Sequence, residues 1–291
     1  MKKIISYGKQ YIDKKDIKFT SNAFRQNLIT TGKFVFKFEE KLKYKLGSKY
    51  AVSCSSGTSA LYLAFKSIGL SKGDVVIMPA VNFIASYNIC KIFEAKIYLA
   101  DIDKGTGQMT PNSLKQCIKL NKLKKIKAIL TMYMGGYPEN IIDFNRLRKK
   151  HNFYLIEDAC HAFGAKYQYK SKFYNIGSCK HSDICTFSFH PLKTITTGEG
   201  GLVTTNSKII YEKLKLLRSH GLERNKKHWI YNISNPGLNF RLSDINCALG
   251  ISQLKKLNSF LSKRKQINQI YLNKLKKFEK FITFPKYNIY N

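Results

Sequence analysis

Arginine is scarce in this sequence, with seven residues at 25, 146, 148, 218, 224, 241 and 264. Acid is scarce too: 18 Asp and Glu face 51 Lys and Arg, for a formal net charge of +33. A protein that grips nucleic acid exploits the bidentate arginine fork on phosphate and guanine. Here the excess is almost all lysine, spread along the whole chain of 291 residues. Neither a helix-turn-helix nor a stacked aromatic–basic module accompanies it, so no nucleic-acid partner is expected. The field still draws in anionic small molecules. Long apolar runs are missing: none approaches the ~18 residues of a membrane span. The basic start, Met1–Tyr7, has no apolar stretch behind it of the kind a secretory signal needs. The seven cysteines (54, 90, 117, 160, 179, 185 and 247) form no C-x-x-C pair, and their number is odd. That argues against a zinc ribbon and a disulfide scaffold, and leaves reduced, mostly buried thiols in a cytoplasmic protein as the expectation. The six histidines lack metal-ligand spacing, Gly105-Thr106-Gly107 is not a full dinucleotide fingerprint, and no Walker lysine motif occurs.

What is present is apolar residue enough for a full core, 44% of the chain. Helical patterns cover Ile17–Arg25, Phe34–Leu46, Ser59–Ile68, Ala85–Phe93, Pro111–Leu120, Ile141–Lys150, Lys208–His220 and Ser243–Ser262. Gly47 and Gly69 close the second and third. Strand patterns cover Tyr50–Ser53, Asp74–Met78, Lys96–Ala100, Ala128–Tyr133, Phe153–Ile156, Asp183–Phe189 and Gly201–Thr205. Strands alternating with helices of about ten residues predict an α/β fold with a parallel, doubly wound sheet covered on both faces. Lys263–Asn291 begins as a charged helix and ends in Phe281-Ile282-Thr283-Phe284-Pro285, which reads as the entrance to a second small domain. Trp229, with His228 and Tyr231, forms an aromatic patch that is either a dimer contact or a plain loop contact.

Ligands of open α/β sheets sit beyond the carboxyl ends of the strands. Three segments there carry chemistry. Ser55-Ser56-Gly57-Thr58-Ser59 joins a strand to a helix start, where small residues and backbone N–H groups suit a phosphate; the same residues also make an ordinary cap. Glu157-Asp158 ends a strand and offers a carboxylate for a buried cationic ring nitrogen, or else a helix cap. Ser188-Phe189-His190-Pro191-Leu192-Lys193 precedes a glycine-rich turn, and a partly desolvated lysine there can serve as a nucleophilic amine. A phosphate cup, a ring-nitrogen carboxylate and a Schiff-base lysine together fit one cofactor, pyridoxal 5'-phosphate.

With these segments the sequence resembles the DegT/DnrJ/EryC1/StrS family of nucleotide-sugar aminotransferases. The resemblance also rests on Ile29-Thr30-Thr31-Gly32, Phe38-Glu39, Ala159-Cys160-His161-Ala162, Thr196-Thr197-Gly198-Glu199-Gly200-Gly201, Arg218-Ser219-His220-Gly221 and Leu238-Asn239-Phe240-Arg241-Leu242-Ser243-Asp244. It implies a fold type I enzyme, three αβα layers around a mostly parallel sheet. It implies a large cofactor domain over residues 1–262 with an N-terminal arm, 1–30, and a largely missing small C-terminal domain that starts at 263–291. It implies a homodimer with shared sites. Lys193 would carry the cofactor as a Schiff base, Asp158 would pair with the pyridine nitrogen, and His161 would lie near the ring oxygen. Gly57, Thr58 and Ser188 would hold the phosphate, Phe83 would stack on the ring, and Asn239 would reach the neighbouring subunit's phosphate. Tyr7 and Asn27, Leu28, Ile29 and Thr30 would meet the sugar nucleotide.

The His-Pro-Leu-Lys form of the lysine motif resembles the pseudaminic-acid branch of the family. That branch aminates C4 of a UDP-linked 4-keto-6-deoxy-N-acetylhexosamine with glutamate as donor, for surface polysaccharide or flagellin glycan. Perosamine-type GDP-sugar aminotransferases share the Ile-Thr-Thr-Gly-Glu-Gly-Gly tail and stay open as an alternative. The family's dehydratases, which carry His in place of the lysine, are disfavoured by Lys193. Met132-Tyr133-Met134-Gly135-Gly136 stands where a His-containing strand end is commoner, and Asn82 where Thr or Ser is frequent.

Overall fold

A computed structural model describes residues 7–224, 230–233 and 235–285. In chain order its strands are β1 (Tyr50–Cys54), β2 (Val75–Pro79), β3 (Lys96–Ala100), β4 (Ala128–Met132), β5 (Tyr154–Asp158), β6 (Lys166–Tyr169), β7 (Lys172–Asn175), β8 (Ile184–Ser188), β9 (Gly201–Thr205), β10 (Leu222–Arg224) and β11 (Tyr231–Ile233). The helices are α1 (Lys14–Phe24), α2 (Lys33–Leu46), α3 (Gly57–Ser67), α4 (Ile84–Ile92), α5 (Pro111–Leu120), α6 (Ile141–His151), α7 (Lys208–Leu217), α8 (Asp244–Leu254) and α9 (Leu257–Leu275). Seven strands form one sheet in the order β1-β9-β8-β5-β4-β2-β3. Strand β9 runs antiparallel to both its neighbours, and the other pairs are parallel. The six co-directional strands therefore open their carboxyl ends on one side.

Strand side chains alternate between two cores, as a period of two requires. Val52, Val76, Met78, Leu130, Ile156 and Val203 pack with α3, α4 and α7. Ala51, Ile77, Ile129, Leu155, Cys185 and Leu202 pack with α2, α5, α6 and α8. This is a three-layer αβα sandwich with a mostly parallel sheet. Among the described residues no helix is long and apolar enough to cross a membrane.

Helix α2 buries Phe34, Val35, Phe38, Leu42 and Leu46, a stripe at helical spacing, and ends at Gly47 with φ 77°. Its N-cap, Gly32, has no side chain to satisfy the first N–H groups. Asp244, fully buried at the start of α8, does so instead. Its Oδ2 accepts the Gly32 N–H at 2.7 Å and its Oδ1 the Phe34 N–H at 2.7 Å. A Cβ on residue 32 would lie 2.8 Å from Asp244 Oδ1, so the cap requires glycine there. Two family-like segments, Thr31-Gly32 and Ser243-Asp244, are thus halves of one capping device. Asp244→Ala leaves buried N–H groups unmatched and is expected to lower unfolding free energy by about 2 kcal/mol, read from urea midpoints at constant m-value.

The fold departs from expectation in particular places. Helix α1 starts at Lys14, not Ile17, because Asp13 and Asp16 form a reciprocal capping box. The single helix expected over Ser243–Ser262 is two, α8 and α9, and α9 runs on through 262/263 to Leu275. Two hairpins, β6–β7 and β10–β11, were not expected. Tyr231 lies exposed on β11, while His228 and Trp229 of the aromatic patch lie outside the described residues.

Candidate active site

Three strand ends build the site. At the end of β1, Ser56 caps α3: its Oγ accepts the Ser59 N–H at 3.0 Å, and Ser59 Oγ accepts the Ser56 N–H at 2.8 Å. Gly57 and Thr58, first in the helix, have no carbonyl of their own helix to bond. A Cβ on Gly57 would stand 2.8 Å from Ser188 Cβ, so glycine lets the helix start close on the end of β8. The end of β1 is anchored from below. Glu39 Oε1 accepts the Ser53 N–H at 2.8 Å and Arg218 Nη1–H at 2.5 Å, and Arg218 also donates to the Ser53 carbonyl at 3.0 Å. This half-hidden ion pair gives the Phe38-Glu39 and Arg218-Ser219 segments their work.

At the end of β5 the alternation divides two neighbouring carboxylates. Asp158, 2% exposed, points with Ile156 to the α3 side. Its Oδ1 accepts the Cys160 N–H at 3.1 Å. Glu157 points into the opposite core, where it accepts the hydroxyls of Tyr133, at 2.7 Å, and Ser182. Burial raises the Glu157 pKa, with those two hydrogen bonds working against it. Gly136, at φ 93°, brings the turn after β4 against the His161 loop; a Cβ there would sit 2.6 Å from the His161 carbonyl oxygen. Burial first and then the Lys193 charge lower the His161 pKa, against the pull of Asp158, which favours the neutral ring. Burial pushes the neighbouring Cys160 thiol well above its usual range, which leaves it a poor nucleophile.

Lys193 is half-buried on the connection from β8 to β9. Its N–H donates to the His190 carbonyl at 2.9 Å, and its own carbonyl accepts Arg264 Nη2–H at 3.2 Å. Beyond it, Thr196 Oγ1 donates to the Phe189 carbonyl at 3.0 Å and Asn246 to that of Thr197 at 2.5 Å, fixing the turn.

These ends enclose a cavity of about 350 Å³. Gly57, Thr58, Phe83, Asp158, His161, Ser188 and Lys193 all line it. Phe83, 65% exposed, offers an apolar face at the start of α4. The donor set fits pyridoxal 5'-phosphate: a helix start cleared by Gly57 and flanked by hydroxyls, a buried carboxylate, a lysine and an aromatic face. Asn239, Tyr7, Asn27, Leu28, Ile29 and Thr30 are all exposed, and none lines this cavity. Asn239 Oδ1 accepts the Arg241 N–H at 3.3 Å, and the Ile29 carbonyl accepts that of Asp244 at 2.9 Å. Met132, Leu61, Cys160, His190 and Glu199 line the cavity as well and were not singled out as site residues. Cys160 could have been, since it stands two residues past Asp158. Met132 rather than Tyr133 faces the cavity at the end of β4; Tyr133 is 1% exposed and turned to Glu157.

A model of the DegT/DnrJ/EryC1/StrS aminotransferase family matches residues 10–288. The chain belongs to that family. It is 40% identical over 280 residues to a UDP-4-amino-4,6-dideoxy-N-acetyl-beta-L-altrosamine transaminase of Campylobacter jejuni, covering 96% of this chain and 72% of the relative. It is 38% identical over 240 residues to the GDP-perosamine synthase of Escherichia coli O157:H7, covering 82% and 62%. Among solved structures, Helicobacter pylori PseC, an aminotransferase of pseudaminic-acid biosynthesis, superposes with a TM-score of 0.87 at 32% identity, over 94% of this chain and 71% of that one. The protein is a sugar aminotransferase, and its cofactor is pyridoxal 5'-phosphate.

Proposed function

We propose that this aminotransferase aminates C4 of a UDP-linked 4-keto-6-deoxy-N-acetylhexosamine with glutamate as donor, in the cytoplasm and as a homodimer. The likeness to the Campylobacter altrosamine transaminase supports the substrate. The observation that carries the chemistry is the shared cavity of Asp158, Lys193 and the start of α3.

In this reading Gly57, Thr58 and Ser188 hold the cofactor phosphate through N–H and hydroxyl donors at the positive end of α3. Asp158 keeps a proton on the ring nitrogen, Phe83 covers one ring face, and His161 donates to the ring oxygen as a neutral imidazole. The bound cofactor supplies an electron sink for the carbon that loses a proton. Lys193 would hold the cofactor through its aldehyde, and its amine, when free, would carry a proton between the substrate carbon and the cofactor. Asn239, exposed and away from its own chain's cavity, serves the phosphate of a second copy. Tyr7 and residues 27–30 meet the sugar nucleotide in that assembly. Residues 1–262 belong to the cofactor domain in this reading, and α9, which crosses 262/263 unbroken, leads into the stretch assigned to the small domain.

A GDP-4-keto sugar is the second reading, favoured by the likeness to the perosamine synthase. Incubation with glutamate and a panel of UDP- and GDP-4-keto-6-deoxy sugars separates the two. The expected result is an amino-sugar mass, with 2-oxoglutarate released, from the UDP-N-acetyl substrate. Product from GDP substrates alone selects the second reading, and loss of water without glutamate consumption overturns both.

A further inference from the structure

We propose that Tyr133, Glu157 and Ser182 form a clamp beneath the sheet that positions Asp158 for the cofactor. The proposal rests on the reading of Asp158 as the ring-nitrogen partner. Glu157 is 3% exposed and lies outside the cavity, so it has no contact with cofactor or substrate. Tyr133 is 1% exposed and Ser182 is 6% exposed. These side chains come from three neighbouring places in the sheet: the residue after β4, the penultimate residue of β5 and the run into β8.

Tyr133 grips β5 twice. Its hydroxyl donates to Glu157 Oε2 at 2.7 Å, and its main-chain N–H donates to the carbonyl of Asp158 itself at 3.2 Å. Ser182 donates to the other carboxylate oxygen from the β8 side. On that side the Asp183 N–H donates to the Leu155 carbonyl at 3.0 Å and the Ala159 N–H to the Thr186 carbonyl at 2.9 Å. Both oxygens of Glu157 are thus tied, one to each neighbouring strand. Successive residues of a strand point to opposite faces, so a rotation of β5 that frees Glu157 must also turn Asp158. A buried carboxylate held from both sides resists that rotation more than an apolar residue could, because loss of either donor leaves an unmatched buried acceptor. Two adjacent carboxylates divide the labour: one is presented to the cavity, the other fixes the angle of presentation.

The test uses the full chain loaded with pyridoxal 5'-phosphate, with Tyr133→Phe, Ser182→Ala and Glu157→Gln. Two readouts report on Asp158: the cofactor dissociation constant and the pH midpoint of the bound cofactor's visible absorbance. Asp244→Ala is the control, since it removes the buried cap of α2, the bonds from the Gly32 and Phe34 N–H groups at 2.7 Å, away from β5. Tyr133→Phe is expected to weaken cofactor binding about tenfold and to raise the absorbance midpoint by about half a unit. The rise follows from a ring nitrogen that holds its proton less well and withdraws fewer electrons. Asp244→Ala is expected to lower Tm while moving neither readout. The clamp is overturned if Tyr133→Phe and Ser182→Ala lower Tm like the control and leave both readouts at the wild-type values. Should Glu157→Gln fail to fold, those two variants carry the test. Asp158→Asn separates the levels: if it shifts the midpoint while the clamp variants do not, only the clamp fails. If Asp158→Asn shifts nothing either, the reading of Asp158 fails with it.

Discussion

Lys193→Ala is expected to lower turnover by about 10⁴-fold or more, because it removes both the amine that binds the cofactor aldehyde and the group that carries the proton. The loss should be one of chemistry and not of folding. The main-chain bonds of residue 193, to the His190 carbonyl and from Arg264, do not involve its amine. The side chain is half-buried at a cavity wall, so the variant should unfold within about 0.5 kcal/mol of wild type. Borohydride treatment followed by peptide mass analysis checks the assignment directly. Wild-type protein should carry the reduced cofactor on the peptide containing residue 193, and the variant should carry none. Cofactor fixed on another of the 44 lysines would remove Lys193 from its role.

Asp158→Asn is expected to cost about 10²- to 10³-fold in turnover, the range for one preorganised electrostatic contact in a water-poor site. Asparagine keeps the size of the side chain and an oxygen that can accept the Cys160 N–H, now at 3.1 Å. What it lacks is the negative charge that holds a proton on a ring nitrogen. The loss should appear in turnover far more than in the substrate's KM, because the charge matters most when electrons flow into the ring. Steady-state kinetics with the preferred keto sugar, at saturating glutamate, reads the split. An unchanged turnover would mean that the buried carboxylate serves only the turn after β5.

Much of the fold was legible because local pattern and final structure agree. Lys96–Ala100, Pro111–Leu120 and Gly201–Thr205 have the bounds their apolar periodicity and flanking turns suggest. Where the sequence hid the answer, the reason is physical. The β6–β7 hairpin is built of Lys, Tyr, Gln, Phe and Asn, and its turn puts Lys170 and Ser171 at φ 47° and 60° with no glycine or asparagine to announce it. The reversal of β9 leaves no mark in its own residues, since strand direction is a property of the partners. The site divides in the same way. Gly57, Asp158, Ser188 and Lys193 stand at strand ends, where the topology of an α/β sheet collects ligands. Nothing local tells that Glu157 turns to the opposite face with Tyr133, since choosing between two adjacent carboxylates needs the register of β5 against β4 and β8.

The cap that Asp244 places on α2 joins residues 212 apart, and β1 has β9 as its neighbour in the sheet. Both α2 and β1 therefore find their partners only after a long intervening stretch of chain has been made. While the intervening chain is being made, α2 has an open end and β1 a bare edge, so two apolar elements wait for their mates. Until β9 is made, β1 presents unpaired N–H and C=O groups along an apolar strand, a template for pairing with another chain.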